Sequence, residues 1–110
     1  MADIYIDIIP LQNDIYNYQF NILLQDTRYI FRIFFNERIE KWILDIKDNN
    51  NDPILMGIPL LTGAALTSRF VDSRLLDIKY LTIINSINAG GEVTKDNLGV
   101  NTFLILYSLR

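Results

Sequence analysis

The stretch Tyr18-Gln19-Phe20-Asn21-Ile22-Leu23-Leu24-Gln25-Asp26-Thr27-Arg28-Tyr29-Ile30-Phe31-Arg32-Ile33-Phe34-Phe35 decides the fold class. Tyr18, Phe20, Ile22 and Leu24 alternate with Gln19, Asn21, Leu23 and Gln25, and Tyr29, Phe31, Ile33 and Phe35 alternate with Ile30, Arg32, Phe34 and Asn36. Successive side chains on an extended chain point to opposite faces, so each run predicts a strand with one strongly apolar face. A two-residue turn at Asp26-Thr27 pairs Gln25 with Arg28, Leu24 with Tyr29, Ile22 with Phe31, Phe20 with Ile33 and Tyr18 with Phe35. All the strongly apolar positions then share a face, and a slip of one residue would scatter the aromatics to both sides. The second face mixes Gln19, Asn21, Arg28 and Arg32 with Leu23, Ile30 and Phe34. It is too apolar for a purely solvated surface, so part of it is expected to pack on another element or another subunit.

The same alternation continues on both sides of the hairpin. Ile4, Ile6 and Ile8 alternate with Tyr5 and Asp7 and stop at Pro10, which cannot donate to a ladder. From Asn36 to Lys41 the chain turns, and Trp42, Leu44 and Ile46 alternate with Ile43, Asp45 and Lys47 in a further strand. The run Asp48-Asn49-Asn50-Asn51-Asp52-Pro53 ends it, because short amides and carboxylates bond their own backbone in turns. A strand follows from Ile54 to Met56. Pro59 to Leu76 reads as an irregular extended crossover in preference to a short helix, and Leu76 to Asn85 as a strand. Ser86 to Gly99 is a long loop, and Asn101 to Leu109 closes the chain with Phe103, Ile105, Tyr107 and Leu109 in step. About seven short strands, with no amphipathic helix of crossover length, predict an all-β fold. The expected form is a small β-barrel or β-sandwich of antiparallel strands with at most one short helix, in a single domain over residues 1–110.

Composition narrows the function. Of the 110 residues 50% are hydrophobic and 21% charged, a balance that supports one hydrophobic core. There is no cysteine, so no disulfide or thiolate metal site, and no histidine, which removes the usual general base and metal ligand near neutral pH. A net charge of −3 gives no cationic footprint for a phosphate backbone. The most apolar run, Ile54 to Leu66, is broken by Pro59, Thr62 and two glycines and is shorter than the roughly 20 residues that cross a bilayer. Met1-Ala2-Asp3 has an acid where a secretory signal has basic residues, so export by a signal peptide is not expected.

Several constellations have both a chemical and a plain reading. Asp48-x-Asn50-x-Asp52 imitates the opening of an EF-hand loop, but Pro53 stands where that loop needs glycine and Pro59 where it needs a bidentate glutamate. A polar turn is the better reading. The acid pairs Glu37 with Glu40 and Asp72 with Asp77 have no supporting feature for acid–base catalysis and read as surface carboxylates. Tyr5, Tyr16, Tyr18 and Tyr29 with Arg28, Arg32 and Arg38 suggest a single-strand stacking sheet, yet the hairpin aromatics share their face with Ile22, Leu24 and Ile33, as a core does. Trp42 reads as a core residue with Arg38 across its edge, and the rim of that pair could also serve as a recognition anchor. No catalytic, cofactor-binding or metal-ligating residue is assigned, and the chain is read as a non-enzyme.

One ordered set of residues carries further. Asn36-Glu37-Arg38, Trp42, Asp45-Ile46, Asp48, Ile54-Leu55-x-Gly57-Ile58-Pro59-Leu60, then Asp96-Asn97-Leu98-Gly99 and Leu106-Tyr107, preceded by Ile9-Pro10-Leu11, resembles the small baseplate plug proteins of contractile-tailed bacteriophages. The likeness covers most of the chain. It departs from the family at Asp26-Thr27, where a glycine-containing turn is expected, and over Ala64 to Leu76. The resemblance implies a structural virion protein, made in the bacterial cytoplasm and placed in the tail or baseplate, that braces or closes the central hub and tube. Its implied partners are other tail and baseplate proteins and further copies of itself, with no nucleic acid, membrane or cofactor. Asn36, Glu37, Arg38, Trp42, Gly57, Pro59 and Leu60 are the expected structural or interface motif. The alternative reading is a generic β-barrel module that binds a peptide or single-stranded nucleic acid.

Overall fold

The structure, a computed structural model, describes residues 4–12, 15–63, 66–67, 80–86 and 91–109. These residues form seven strands and no helix: β1 (Ile4–Ile8), β2 (Asn17–Leu24), β3 (Thr27–Asn36), β4 (Lys41–Asp48), β5 (Pro53–Pro59), β6 (Leu81–Asn85) and β7 (Thr102–Leu109). All strand pairs are antiparallel. They make a four-stranded meander of order β2-β3-β4-β5 and a three-stranded sheet of order β1-β7-β6. The all-β expectation holds, and two separate sheets around a shared core make the molecule a sandwich.

The core follows from the alternation. Phe31, Ile33, Leu44 and Ile46 of the larger sheet and Leu81, Ile83, Leu104 and Leu106 of the smaller one belong to one buried cluster, which Ile9, Leu60, Leu66 and Leu98 join from the connections. Fully burying a side chain of this size stabilises the fold by about 1.5–3 kcal/mol. In β7 the phase that joins the shared cluster is Leu104 and Leu106; on the other face Ile105 is buried, Phe103 is partly exposed and Tyr107 is exposed. In β1 the isoleucine phase also points away from the core, leaving Ile6 56% and Ile8 63% exposed.

The chain begins in the smaller sheet, builds the larger one and returns. β1 therefore pairs with the last strand, Ile6 opposite Tyr107. Of the predicted crossover, Thr62 bridges Ile83, the Gly63 N–H donates to the Ile83 carbonyl at 2.8 Å and the Leu66 N–H to that of Leu81 at 3.2 Å. Thr62, Gly63 and Leu66 lie along the outer edge of β6. The remainder of the crossover, and Leu76 to Lys79 of the predicted strand, lie outside the described residues.

Two expectations need correction. The hairpin turn is Gln25-Asp26 and not Asp26-Thr27, so Leu24 faces Thr27, Ile22 faces Tyr29, Phe20 faces Phe31 and Tyr18 faces Ile33. This is a slip of two residues, which preserves every face and is therefore invisible to a period-two pattern. Backbone sterics decide it: Gln25 at φ 49° and Asp26 at φ 68° make the left-handed pair that tight hairpins require. A turn at Asp26-Thr27 would force that conformation on a β-branched residue, whereas Thr27 is well suited to open a strand. Strand β5 also runs to Pro59 instead of ending at Met56, with two register shifts against β4. Glycine and proline suggested breaks, but Gly57 at φ +74° sits in a bulge and the two prolines occupy the strand ends.

The Asp48 to Asp52 segment is a turn held by its own carboxylate. Asp48 Oδ1 accepts from the backbone N–H of Asn50 at 2.9 Å and of Asp52 at 3.0 Å, and Asn51 has φ 67°.

Left-handed conformations at two non-glycine residues predict that Gln25→Asn with Asp26→Gly raises stability by about 1 kcal/mol, or about 4 °C in Tm for a chain of this size. Thermal unfolding followed by circular dichroism measures it. An unchanged or lower midpoint would show that the turn is not limiting.

Candidate contact site at the Trp42 end of the larger sheet

The turn from β3 to β4 is built by Asn36, whose Oδ1 accepts from the N–H of Arg38 at 3.0 Å and of Ile39 at 3.4 Å. A short side chain thus replaces backbone partners in the turn, which ends at Glu40 with φ 53°. The exposed part of the turn carries Glu37, Arg38, Glu40 and Ile39, an apolar side chain 55% exposed.

Directly below lies Trp42, only 3% exposed. Its ring packs edge-on to Phe35, centroids 5.4 Å apart, and tilts against Tyr16 at 5.9 Å. Burying an indole strands its N–H unless a partner is supplied, and here Nε1 donates to the Thr94 carbonyl at 2.9 Å. This bond joins β4 to the loop before β7. The expected cation at the rim of Trp42 is replaced: Arg38 is exposed on the turn, and Lys95 lies over the rings of Tyr16 and Phe35, 4.8 and 5.5 Å from their centroids. Lys95 also donates to Glu37 Oε1 at 2.8 Å. The hydrogen bond to Glu37, only partly opposed by desolvation, raises the Lys95 ammonium above the ordinary lysine value.

Asn97 shapes that loop and was visible in the sequence only as part of Asp96-Asn97-Leu98-Gly99. Its side chain donates to the Glu92 carbonyl at 2.9 Å and accepts from the Thr94 N–H at 2.8 Å. Its own carbonyl accepts from the N–H groups of Val100, Asn101 and Thr102. An asparagine joining both limbs of a loop leaves no periodic trace, which is why patterning missed it. Between the turn and this loop is a shallow cleft of ≈ 340 Å³ lined by Phe35, Ile39, Lys41, Val93, Lys95 and three glutamates, Glu37, Glu40 and Glu92. Its mixed apolar and charged walls suit contact with a protein surface.

The expected motif is partly gathered here. Asn36, Glu37, Arg38 and Trp42 share one end of the sheet, and Pro59 and Leu60 join them because Pro59 pairs with Ile43 and the Leu60 N–H donates to the Trp42 carbonyl at 2.9 Å. Leu60 is fully buried. Gly57 lies further along, in the bulge facing Asp45. There Asp45 Oδ1 accepts the Gly57 N–H at 2.7 Å while Oδ2 is 3.4 Å from Arg32 Nη1. A carboxylate 5% exposed thus holds the bulge open and is itself compensated by a guanidinium. Arg32 also stacks on Phe34 at 4.3 Å and donates to Asn17 Oδ1 at 3.2 Å, so the mixed second face of the hairpin is knitted internally. On the first face Tyr18, Phe20 and Tyr29 belong to or pack against the core, as expected of them, and do not form a stacking platform. Glu37 of the first acid pair is engaged with Lys95, and Asp72 and Asp77 lie outside the described residues.

Trp42→Ala is expected to destabilise the fold by about 3–5 kcal/mol, and Trp42→Phe, which keeps an aromatic ring but loses part of the indole volume and the donor to the Thr94 carbonyl, by about 1–3 kcal/mol. Chemical denaturation measures both. An alanine variant as stable as wild type would remove Trp42 from the core. Tyr18 is also raised above the ordinary tyrosine value, chiefly by burial and against the opposing Gln12 N–H that donates to its hydroxyl. For both groups the folded state holds its proton longer than the unfolded chain, so the stability is fully present below the ordinary values of 10.0 and 10.5 and is lost as pH rises through the raised ones. The thermal midpoint should fall above about pH 10, less steeply in Lys95→Met and in Tyr18→Phe. Equal slopes in all three proteins would refute the assignment.

Residues 6–109 match the family described as cyanophage baseplate Pam3 plug gp18. Among curated proteins none matches the chain. The match takes in both sheets, the turn at Asn36, Trp42, the Gly57 bulge and the Asn97 loop, nearly the whole length of the sequence. The chain belongs to the cyanophage baseplate plug family.

Proposed function

We propose that the chain closes or braces the central hub and tube of a phage baseplate through protein–protein contacts, after synthesis in the host cytoplasm. The observation that carries this is the family match over residues 6–109, which gives the protein a structural role in the baseplate of a virion. The site supports it in kind. Trp42 and Leu60 are buried and set the shape of the sheet end, whereas Asn36, Glu37, Arg38 and the exposed Ile39 present a short apolar tip between charges. The tip borders the cleft lined by Phe35, Val93 and Lys95, so apolar and charged groups adjoin there as they do across a protein interface. In this reading Asn36, Gly57 and Pro59 hold backbone geometry, Trp42 and Leu60 hold the core, and Glu37, Arg38 and Ile39 make the contact.

Virions made without this protein should show incomplete or prematurely contracted tails in negative-stain images. Virions carrying Ile39→Asp should incorporate less of the protein while its unfolding free energy stays within about 0.5 kcal/mol of wild type, the usual range for a surface change. Normal infectious particles in the absence of the protein would rule the proposal out. Full incorporation of the Ile39→Asp protein would move the contact away from this turn.

A further inference from the structure

We propose that the free edge of β2 is an interaction surface that pairs antiparallel with β2 of a second copy of this chain, about a two-fold axis at Phe20. The inference rests on the geometry of the chain alone and not on the baseplate reading, so the two can fail separately.

An edge strand presents unpaired N–H and C=O groups, and natural sheets protect such edges by shortness, proline, charge, bulges or cover. Three of the edges here are protected. β5 is bracketed by Pro53 and Pro59 and shifts register twice. β6 is covered by the bonds from Gly63 and Leu66, and β1 is only five residues long and carries the charged Asp7. Among the described residues β2 has none of these devices: eight residues in unbroken register with β3, without proline, glycine or an acidic or basic side chain, and no described segment bonded along its outer side.

The direction of its backbone groups follows from one bond. The Phe35 N–H donates to the Tyr16 carbonyl at 2.8 Å, which continues the β2–β3 register and assigns the even-numbered residues of β2 to the ladder with β3. In an antiparallel ladder the alternate residues turn their backbone groups the other way. Asn17, Gln19, Asn21 and Leu23 therefore offer N–H and C=O outward. Side chains agree with this. Tyr18, Phe20 and Ile22 pack against the core yet remain partly exposed along this edge, so the core is incompletely covered there.

A second copy is the occupant that the sequence of the edge fits. Opposed edge groups require odd residues to face odd ones, and an axis at Phe20 then places Gln19 opposite Asn21, Asn17 opposite Leu23 and Tyr18 opposite Ile22. Amide meets amide, and the partly exposed ring and aliphatic side chains cover one another. No like charges oppose, which is the usual obstacle to pairing a strand with itself. Two-fold closure also uses the edge up, leaving no open template for further addition.

Sedimentation equilibrium of the full chain should show a reversible dimer. Gln19→Lys with Asn21→Lys places lysine opposite lysine twice and should weaken the dimer by about tenfold or more. Gln19→Glu with Asn21→Lys places opposite charges across the same axis and should restore it, while circular dichroism and the thermal midpoint confirm folding of each variant. Asn21→Pro removes an outward N–H without touching the β3 ladder and should also dissociate the dimer. A wild-type chain that stays monomeric up to about 1 mM would overturn the proposal and leave the edge to a strand from another protein. So would a dimer indifferent to the paired lysines and to Asn21→Pro.

Discussion

Neither sheet can bury its inner face alone, and the structure depends on the two faces being covered by each other. The larger sheet contributes Phe31, Ile33, Leu44 and Ile46, the smaller Leu81, Ile83, Leu104 and Leu106, and removal of either layer would expose the other to water. This constraint explains the route of the chain. The first strand and the last two lie in the same sheet, with β7 between β1 and β6, and together they cover the inner face of the four-stranded meander. The connections are then spent on closure: Leu60 and Leu66 on the way back, and Ile9 and Leu98 at the joins.

Where polar groups enter this apolar arrangement, each is met by a partner that also fixes a shape. The Trp42 indole N–H finds the Thr94 carbonyl, and in doing so places the Asn97 loop beside the Asn36 turn. The Asp45 carboxylate finds the Gly57 N–H and Arg32, so the bulge in β5 and the outer face of the hairpin are joined through one side chain. Buried polar groups are costly unless paired, and here the pairing positions the surfaces available for contact. A structural virion part needs defined surfaces more than it needs a pocket, and these two interactions supply them at one end and along one face of the larger sheet.

Much of this was legible in the residues. Alternation at Tyr18 to Phe35 and at Trp42 to Ile46 gave strands and faces because side-chain direction in a strand has a fixed period of two. Asp48-Asn49-Asn50-Asn51-Asp52 gave a turn because its side chains bond their own backbone. The same period does not say which phase of β7 meets the core, because both are apolar: Leu104 and Leu106 join the shared cluster, whereas Ile105 is buried on the other face. Lys95 and Asn97 were not legible as site residues, since each acts on groups far away in sequence, Glu37 in one case and both limbs of a loop in the other.

The sequence by itself determined that this is an all-β chain with a hairpin of known facing, a Trp-bearing strand and an ordered set of residues like that of the baseplate plugs. Those features are local or cumulative along the chain and need no knowledge of what lies opposite. Tertiary structure alone decided the hairpin register, the pairing of the first strand with the last, the bulge that Asp45 stabilises, and which sheet edge lacks protection among the described residues. Each of these turns on a comparison between distant segments: two registers of equal facing, two apolar phases, or four edges of which one lacks protection among the described residues. A pattern of period two is blind to such differences, and sterics at Gln25-Asp26, burial and hydrogen bonding resolve them.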